Sequence, residues 1–317
     1  MSKIAVLGAG AWGTALAIQA ARAGNEVVLW ARDGAETIAA SRESPRLPGH
    51  HLPDSIFVTG DAATLSDTVI AAVPTQSLRA ALTGLPDIRH LVICAKGIEA
   101  ATLRLPLEIA AEVQPNAVSA VLTGPNFAHE IASGLPAAAV VAGLDQAMRE
   151  AVARSLATPS FRLYGSDDPV GAQLGGAAKN VVAIAAGAVT GAGLGENARA
   201  ALMTRGLAEL ARLTVALGGR AETVTGLSGL GDLLLTCTGP ASRNFSLGLA
   251  LGQGETLATI LAGRRAVTEG VATAPALVAR AKGVEMPICE AVAALLEGRT
   301  TLREAIAALL ARPRRDE

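Results

Sequence analysis

The sequence predicts an α/β fold in two domains: a doubly wound sheet over residues 1–165 and an all-helical domain over 166–317. In the first half, short apolar runs rich in β-branched residues alternate with helix-like segments, which is typical of a sheet covered by helices on both faces. After about Gly165, long Ala- and Leu-rich segments with helical spacing follow and the strand-like alternation stops. A chain of 317 residues is long enough for two ordinary domains.

Strands are predicted where continuous apolar runs lie between turn residues, and parallel pairing is expected because each run would be buried on both faces. Five runs meet this description: KIAVLG (3–8), EVVLWA (26–31), TVIAAV (68–73), HLVICA (90–95) and AVSAVL (117–122). Candidates for further strands are AAAVV (137–141) and SFRLY (160–164). The helices predicted for the second domain cover 167–190, 196–217, 245–262, 273–281, 288–296 and 301–311.

Composition argues against several functional classes. The net charge of -1, without a basic cluster, argues against a nucleic-acid partner. The three cysteines are widely separated, which favours neither a disulfide framework nor a zinc site and suits a reducing cytoplasm. Glycines interrupt the apolar N-terminus early, so we interpret it as structural rather than as a signal peptide.

The stretch from Pro169 to Gly195 contains a single charged residue, Lys179. Its length and composition resemble those of a membrane span. However, Gln173, Asn180 and several glycines make it a poor one. We therefore predict a buried helix and no stable membrane insertion.

The motif GAGAWG (8–13) directly follows the first predicted strand and opens a helix predicted over Ala11–Ala23. In a Rossmann-type dinucleotide turn, Gly8 would permit the tight turn, Gly10 would let the backbone approach the pyrophosphate, and Gly13 would allow close packing of helix on strand. The helix N-terminus would add free N–H groups and a partial positive charge. The strand–turn–helix context makes a dinucleotide site more plausible than an incidental glycine-rich turn.

The end of the second predicted strand bears on the choice of cofactor. Arg32 stands where a ribose 2′-phosphate could be bound, which favours NADPH. Alternatively, Arg32 is only a surface charge and Asp33 binds the ribose hydroxyls, as in enzymes that use NADH.

The proton-transfer group of a dehydrogenase must here be a lysine or a carboxylate. All four histidines lie in the predicted first domain, which excludes a catalytic histidine from the second. A Tyr-x-x-x-Lys arrangement is absent because the only tyrosine, Tyr164, is followed four residues later by Asp168. No Cys/His cluster supports a catalytic zinc.

Lys179 is the leading candidate, because only four of the 27 basic residues are lysines and this one lies in an apolar run. In a helix its side chain would lean over Gly175 and Gly176, leaving room beside the amine for a small substrate. Asn180 would project about 100° further round the helix. A buried lysine can act as an acid or base near neutrality; the alternative is a lysine that extends its amine to solvent.

A second polar group follows in the helical domain. Asp232 and Thr236 are four residues apart and would share one helical face. Ser242, Arg243 and Asn244 then open what looks like the next helix. A helix start with free N–H groups and a guanidinium suits a phosphate or carboxylate, although Ser242 and Arg243 alone would be an N-cap and a surface residue.

Two further segments follow predicted core strands: CAKGIE (94–99), with Lys96, and LTGPNFAHEI (122–131). The carboxyl ends of strands are where open α/β sheets bind ligands.

Several long, ordered motifs together resemble the bacterial-type NAD(P)-dependent glycerol-3-phosphate dehydrogenase family, over nearly the whole chain. They are GAGAWGTALA, VPTQ, AKGIE, TGPNFA, QLGGAAKNVVAIAAG, MTRGLAE, GLGDLLLTCT with SRN, and VTEG. The resemblance implies a 6-phosphogluconate-dehydrogenase-like fold and reduction of dihydroxyacetone phosphate to sn-glycerol 3-phosphate for phospholipid synthesis. It also implies NADPH as cofactor, with NADH as the alternative, no metal, and a cytoplasmic homodimer.

The resemblance also assigns roles by motif, with Lys179 as the proton donor and acceptor. The substrate would contact Lys96, Gly124, Asn126, Lys179, Asn180, Asp232, Thr236, Ser242, Arg243 and Asn244. The cofactor would contact Gly8, Gly10, Ala11, Trp12, Gly13, Arg32, Lys96, Ala128, Arg243, Val267 and Glu269.

Two other functions remain open at this point. A β-hydroxyacid or ketopantoate-type reductase would also use a lysine of a helical domain but needs no phosphate site. A non-catalytic dinucleotide sensor need not retain Lys179, Asn180, Asp232 and Arg243 together.

Overall fold

The computed structural model describes residues 3–264 and 267–313. This part of the chain forms two compact units. The first runs up to Lys96 and from Arg104 to Gln173; the second comprises Gly97–Leu103 and the chain from Leu174 onward. That 1–165 and 166–317 are separate domains stays a prediction.

The first unit contains one eight-stranded sheet. Its strands are β1 (Lys3–Leu7), β2 (Glu26–Trp30), β3 (Ile56–Thr59), β4 (Thr68–Ala71), β5 (His90–Ile93), β6 (Val118–Thr123), β7 (Ala137–Ala142) and β8 (Phe161–Ser166). The order across the sheet is β3-β2-β1-β4-β5-β6-β7-β8. All seven predicted strands are present, and the doubly wound α/β class is confirmed.

Two features of the sheet were not predicted. β7 runs antiparallel to β6, whereas the other neighbouring pairs are parallel. The helix that joins them, Ala128–Ser133, has six residues, about 9 Å of length, which is too short to carry the chain back along a strand. The edge strand β3 was not predicted, because its run of four residues is short and Phe57 faces solvent.

The described residues of the first unit include one short 3-10 helix, Ala62–Thr64, and six complete α-helices: α1 (Ala11–Arg22), α2 (Ala35–Ser41), α3 (Thr75–Leu82), α4 (Pro106–Val113), α5 (Ala128–Ser133) and α6 (Gln146–Leu156). The apolar residues of the sheet and of α1 form the core, in which Ile4, Val6 and Leu16 are fully buried. Helix α1 ends as predicted, with Gly24 in the left-handed region at φ 87°. The packing of α1 against the sheet holds its N-terminus directly after the turn that follows β1.

The second unit contains no strand among its described residues. Its α-helices are α7 (Pro169–Gly191), α8 (Glu196–Ala216), α9 (Ala221–Thr225), α10 (Asp232–Cys237), α11 (Arg243–Gly252), α12 (Leu257–Ala262), α13 (Glu269–Arg280), α14 (Pro287–Leu296) and α15 (Leu302–Leu310). The single helix predicted over 245–262 is wrong: Gly254, at φ 94°, interrupts it between α11 and α12. One π-helical turn, Leu227–Gly231, precedes α10.

Helix α7 is the central helix of the second unit, and small residues let other backbones approach it closely. A Cβ on Gly187 would overlap the carbonyl oxygen of Phe245, and one on Gly248 would overlap that of Ile184. α7 and α11 therefore pack backbone to backbone. Although α7 is long and apolar enough to cross a membrane, most of it is buried inside the protein, as a core helix is.

Glu209 is a buried carboxylate with a structural role in the second unit. Its Oε1 accepts the backbone N–H of Ile288 at 2.7 Å, and its Oε2 accepts that of Cys289 at 3.2 Å. The two bonds satisfy N–H groups in the first turn of α14, where an acidic group is favourable. Burial raises the pKa of Glu209 above its ordinary value, and the two backbone bonds oppose this shift.

The raised pKa of Glu209 predicts a pH dependence of stability that E209Q should remove. The folded protein holds this proton more tightly than the unfolded chain does, so the contribution of Glu209 is greatest below the unfolded pKa of about 4.5. It falls as pH rises through the higher folded pKa. The free energy of unfolding of the wild type, relative to E209Q, should therefore decrease with rising pH in urea titrations between pH 4 and 8. A difference that is flat or rises over this range would contradict the prediction.

Candidate functional site

The glycines of the turn after β1 differ in their surroundings. Gly8 has φ 110°, and a Cβ there would lie 2.9 Å from Val73 Cγ1. A Cβ on Gly13 would overlap the carbonyl oxygen of Gly8. Around Gly10, by contrast, no heavy atom of the described residues, apart from Gly10 and its two chain neighbours, lies within 4 Å of the Cβ position. The first and third glycines thus make the turn and the helix contact, while the second leaves open space for a ligand.

The turn leads into the N-terminus of α1. Gly10 is the N-cap and supplies no side chain to the free N–H groups, and the first turn contains no acidic residue. Ala11 and Trp12 form that turn and are half-buried. Free N–H groups, the helix dipole and open space together fit a pyrophosphate.

Arg32 and Asp33 follow β2. They form an ion pair with 3.1 Å between Nε and Oδ2, and both side chains are highly exposed (78% and 83%). Both are accessible to a ribose or its phosphate.

Lys96 and Gly124 lie together because β5 and β6 are parallel neighbours and both chains leave the sheet at the same edge. Lys96 Nζ donates to the Gly124 carbonyl oxygen at 3.0 Å. Gly124 has φ 129°, and a Cβ there would lie 3.1 Å from Ala139 Cα. Asn126 Nδ2 donates to the Ala138 carbonyl oxygen at 3.1 Å.

The oxygen of the Asn126 amide, Oδ1, is buried and has no hydrogen-bond partner among the described residues. Ala128, at the start of α5, follows two residues later. A buried acceptor without a partner is costly, so this oxygen is suited to receive a donor from a ligand.

In the second unit, Lys179 and Asp232 form a buried ion pair through Nζ and Oδ1. The side chains are 9% and 1% exposed. Thr236 Oγ1 donates to the Asp232 carbonyl oxygen at 2.6 Å, which confirms that the two share a helical face. The alternative of a lysine that extends to solvent is excluded by this burial.

At Gly175, one of the two glycines over which Lys179 was predicted to lean, the expected open space is filled. A Cβ on Gly175 would overlap the carbonyl oxygen of Ser228. The backbone of the π-helical turn therefore fills the groove over Gly175, and the glycine serves close packing rather than substrate access. The same packing brings α10, with Asp232, against α7.

Asn180 and Asn244 are joined in the same unit. Asn244 Nδ2 donates to Asn180 Oδ1 at 2.8 Å, and Asn244 Oδ1 accepts the backbone N–H of Gly270 at 3.0 Å. Asn180 and Asn244 are both buried. The hydrogen bond from Gly270 to Asn244 was not predicted, because nothing in the local sequence shows that a glycine at the second position of a helix contacts a distant side chain.

The N-terminus of α11 carries the predicted anion site. Ser242 is its N-cap, with Oγ accepting the Phe245 N–H at 3.2 Å, and Arg243 is exposed beside it. Arg264 was not predicted: its Nη1 donates to the Arg243 carbonyl oxygen at 2.7 Å and its Nη2 to Ser246 Oγ at 3.1 Å. Burial, and next the charge of Arg243, lower the pKa of Arg264. Two nearby guanidiniums suit a phosphate.

The two remaining predicted cofactor residues lie at the start of α13. Glu269 is its first residue, and Val267 precedes it with a largely exposed side chain. Each unit thus gathers its own share of the predicted residues. Their roles stay predictions.

Two other kinds of catalytic group, a reactive cysteine and a bound metal ion, find no support among the described residues. Burial raises the pKa of the Cys94 and Cys237 thiols to about 12, and the pKa of Cys289 is also raised by burial. None of the three is a thiolate near neutral pH. Within residues 3–264 and 267–313, no group of three or more His, Cys, Asp or Glu side chains is placed to hold a metal ion.

Comparisons with known proteins show the family to which the chain belongs. The family models for the N-terminus and C-terminus of NAD-dependent glycerol-3-phosphate dehydrogenase match residues 3–149 and 168–307. A protein of Acidiphilium cryptum described as glycerol-3-phosphate dehydrogenase, NAD(P)+, is 60% identical, with 99% of this chain and 98% of that protein covered. The chain belongs to the NAD-dependent glycerol-3-phosphate dehydrogenase family.

The glycerol-3-phosphate dehydrogenase family also accounts for the fold. The crystal structure of glycerol-3-phosphate dehydrogenase from Coxiella burnetii superposes with a TM-score of 0.93 at 35% identity, covering 98% of this chain and 99% of that one. A Bradyrhizobium relative described by the same name as the Acidiphilium protein is 54% identical over 98% of this chain and 97% of its own length. A Rossmann-like sheet followed by a helical unit is the architecture shared by this family.

Proposed function

We propose that this chain is an NAD(P)-dependent glycerol-3-phosphate dehydrogenase that reduces dihydroxyacetone phosphate to sn-glycerol 3-phosphate, with Lys179 as the proton donor. One observation carries the role of Lys179: it is the only charge in a buried, otherwise uncharged helix, and its ammonium is bound by Asp232. The product supplies the backbone for phospholipid synthesis. In the opposite direction Lys179 accepts the proton.

Lys179 performs two tasks in this proposal. An ammonium carries three N–H donors, and Asp232 takes one of them. A second donor can point at the carbonyl oxygen of the substrate, where negative charge develops during reduction. The same group then supplies the proton, so that the oxygen leaves as a hydroxyl. Asp232 holds the amine in place. Its own position is fixed because it begins α10, directly after the π-helical turn that packs against α7 at Gly175.

The phosphate of the substrate is proposed to bind at the start of α11. Arg243 offers a guanidinium there, and Ser242 keeps its hydroxyl proton free to donate because its oxygen is used as an acceptor. Arg264 fixes the backbone of Arg243 and adds positive charge. A non-phosphorylated keto acid would leave this group of donors without a partner.

The dinucleotide is proposed to bind at the turn after β1, with the pyrophosphate over Gly10 and the N-terminus of α1. When bound, NAD(P)H supplies the hydride. Gly8 and Gly13 keep the backbone in place, and Lys96 with Asn126 offers polar groups at the ends of β5 and β6. Ala128, Val267 and Glu269 are proposed as further cofactor contacts.

Steady-state kinetics test the function. We expect NAD(P)H oxidation with dihydroxyacetone phosphate and kcat/KM at least about 10³-fold higher than with ketopantoate or other non-phosphorylated keto acids, because a site built for hydrogen bonding rejects analogues that lack the group. Higher activity on a keto acid would favour the ketopantoate-type reductase instead. Binding of NAD(P)H without turnover on any carbonyl compound would favour a sensor.

The cofactor preference is tested at Arg32. We propose that Arg32 binds the 2′-phosphate, so R32A should raise KM for NADPH about 10-fold, as expected for the loss of one charge-assisted hydrogen bond, and leave KM for NADH nearly unchanged. The exposed Arg162, on β8, offers a matched control in R162A. If R32A leaves the NADPH/NADH ratio unchanged while D33A raises KM for NADH, the ribose is bound by Asp33.

We further propose that the enzyme is a cytoplasmic homodimer. The three cysteines are free and buried, which suits a reducing compartment. Light scattering coupled to size-exclusion chromatography measures the mass directly; a mass of about 32 kDa, that of one chain, would contradict the dimer.

A further inference from the structure

Ser44 connects the segment between α2 and β3 to the turn after β1. Its side chain is fully buried, and its Oγ donates to the carbonyl oxygen of Ala9 at 3.1 Å. The same oxygen accepts the backbone N–H of Arg46 at 3.3 Å. A hydroxyl that accepts one N–H still has its own proton to donate. A residue 35 positions along the chain therefore binds the peptide that leads into Gly10.

The segment that carries Ser44, residues 42–53, is itself fixed to the first unit. Leu52 is fully buried in the core of that unit. Arg42 donates through Nη1 to the carbonyl oxygen of Ile56, the first residue of β3, at 3.0 Å. Ser44 is thus held by contacts that do not involve the turn, and it can act on the turn as a fixed support.

The Ala9 carbonyl oxygen also accepts a second hydroxyl. Thr14 Oγ1, on α1 and likewise fully buried, donates to it at 3.4 Å. A carbonyl oxygen has two lone pairs and can accept both donors. The peptide between Ala9 and Gly10 is trans, so its N–H points away from its carbonyl oxygen. Because the oxygen faces the two buried hydroxyls, the N–H of Gly10, an exposed residue, is directed away from them.

The glycine itself does not fix the orientation of this peptide. Gly10 has φ -70° and ψ 175°. Rotation of the preceding peptide by half a turn would bring φ into the positive region, which glycine occupies readily and other residues avoid. The residue type that lets a pyrophosphate approach therefore also permits the wrong orientation. The hydrogen bonds from Ser44 and Thr14 oppose that rotation, because it would leave both hydroxyls without their acceptor.

We propose that Ser44 is a positioning residue for the cofactor, which holds the peptide between Ala9 and Gly10 so that the Gly10 N–H faces the bound pyrophosphate. This inference rests on the proposed function, which takes the dinucleotide to bind over Gly10. A rotated peptide would present a carbonyl oxygen to the phosphates, and its partial negative charge would repel them. The segment 42–53 thus contributes to cofactor binding through a hydrogen bond to the turn.

The variant S44A removes the hydroxyl and keeps the Cβ. We expect Kd for NAD(P)H, measured by fluorescence titration, to rise about fivefold, as for the loss of one hydrogen bond. At saturating NAD(P)H, kcat should stay within about twofold of the wild-type value, because the groups around Lys179 are unchanged. The thermal midpoint shows that the variant is folded at the assay temperature. An unchanged Kd, or a loss of kcat at saturation, would overturn the inference.

S155A is the matched control for S44A. Ser155 Oγ donates to the carbonyl oxygen of Ala151 at 2.8 Å within α6, in the same unit. Its replacement removes a comparable hydrogen bond without touching the turn, so Kd for NAD(P)H should not change. An equal rise in Kd for S155A and S44A would show a general effect of destabilisation, which would also overturn the inference.

A double-mutant cycle with T14V tests whether Ser44 acts through the Ala9 carbonyl oxygen. With one hydroxyl left the peptide is held less firmly, and with neither it is not held by a side chain at all. The double variant S44A/T14V should therefore raise Kd at least about threefold more than the product of the two single effects. Effects that simply multiply would mean that the two hydroxyls act independently, and would overturn the inference.

The variant G10A distinguishes failure of the inference from failure of the proposed function. Alanine is unstrained at φ -70°, and its Cβ would lie in the open space proposed for the pyrophosphate. If G10A weakens NAD(P)H binding and S44A does not, only the role of Ser44 is wrong. If S44A alone weakens binding, Ser44 acts elsewhere and the inference is wrong. If neither variant changes Kd, or the wild type does not bind NAD(P)H, the proposed cofactor site fails together with the inference.

Discussion

Replacing Lys179 with alanine should lower kcat at least about 10³-fold while NAD(P)H still binds. The amine is proposed to stabilise the developing oxyanion and to supply its proton, and each contribution alone is worth roughly 10² or more. The cofactor residues of the first unit keep their own contacts, so the dinucleotide affinity, measured by fluorescence titration, should stay within about threefold.

Two further variants sharpen this prediction. K179R keeps a positive charge but cannot release its proton near neutral pH, so it should also be inactive if proton transfer matters. K282A removes an exposed lysine of the same unit and should retain wild-type kcat. Turnover by K179A above about one tenth of the wild-type rate would show that the proton comes from another group.

The glycines of the first turn could be predicted from sequence because the constraint is local. A strand, a tight turn and the start of a helix follow one another within the first thirteen residues, and the closest contact of Gly13 is to Gly8 in the same turn. The same holds for Asp232 and Thr236, since a spacing of four on a helix is enough to place them on one face. The Ser242 N-cap is likewise a local feature.

Features that depend on distant backbone were not predicted or were misinterpreted. Gly175 was read as open space, but the backbone of Ser228, more than fifty residues away, packs on it. The same limit applies to Gly270, whose role depends on Asn180 and Asn244. Sequence patterns describe one element at a time, and a glycine gives no sign of whether its missing side chain makes room for a ligand or for another helix. The antiparallel direction of β7 could not be predicted for the same reason, because the direction in which a strand pairs depends on where the chain returns to the sheet.

Replacing Asp232 with leucine should strongly destabilise the helical unit. Asp232 is 1% exposed and Lys179 is 9% exposed at the side chain, so D232L would leave a buried ammonium without its counter-charge. The loss of one partner of such a pair typically costs about 3–5 kcal/mol. Urea denaturation should show a drop of this size in the free energy of unfolding.

The double variant K179M/D232L should recover most of that loss, because two apolar side chains of similar volume need no counter-charge and pack in the same space. We expect its free energy of unfolding to lie within about 1 kcal/mol of the wild-type value, whereas its turnover should be as low as that of K179A. A double variant as unstable as D232L would mean that the ion pair itself stabilises the fold. If stability is recovered and turnover is lost, the charge inside α7 is required for catalysis and not for folding, because an entirely apolar helix would pack equally well.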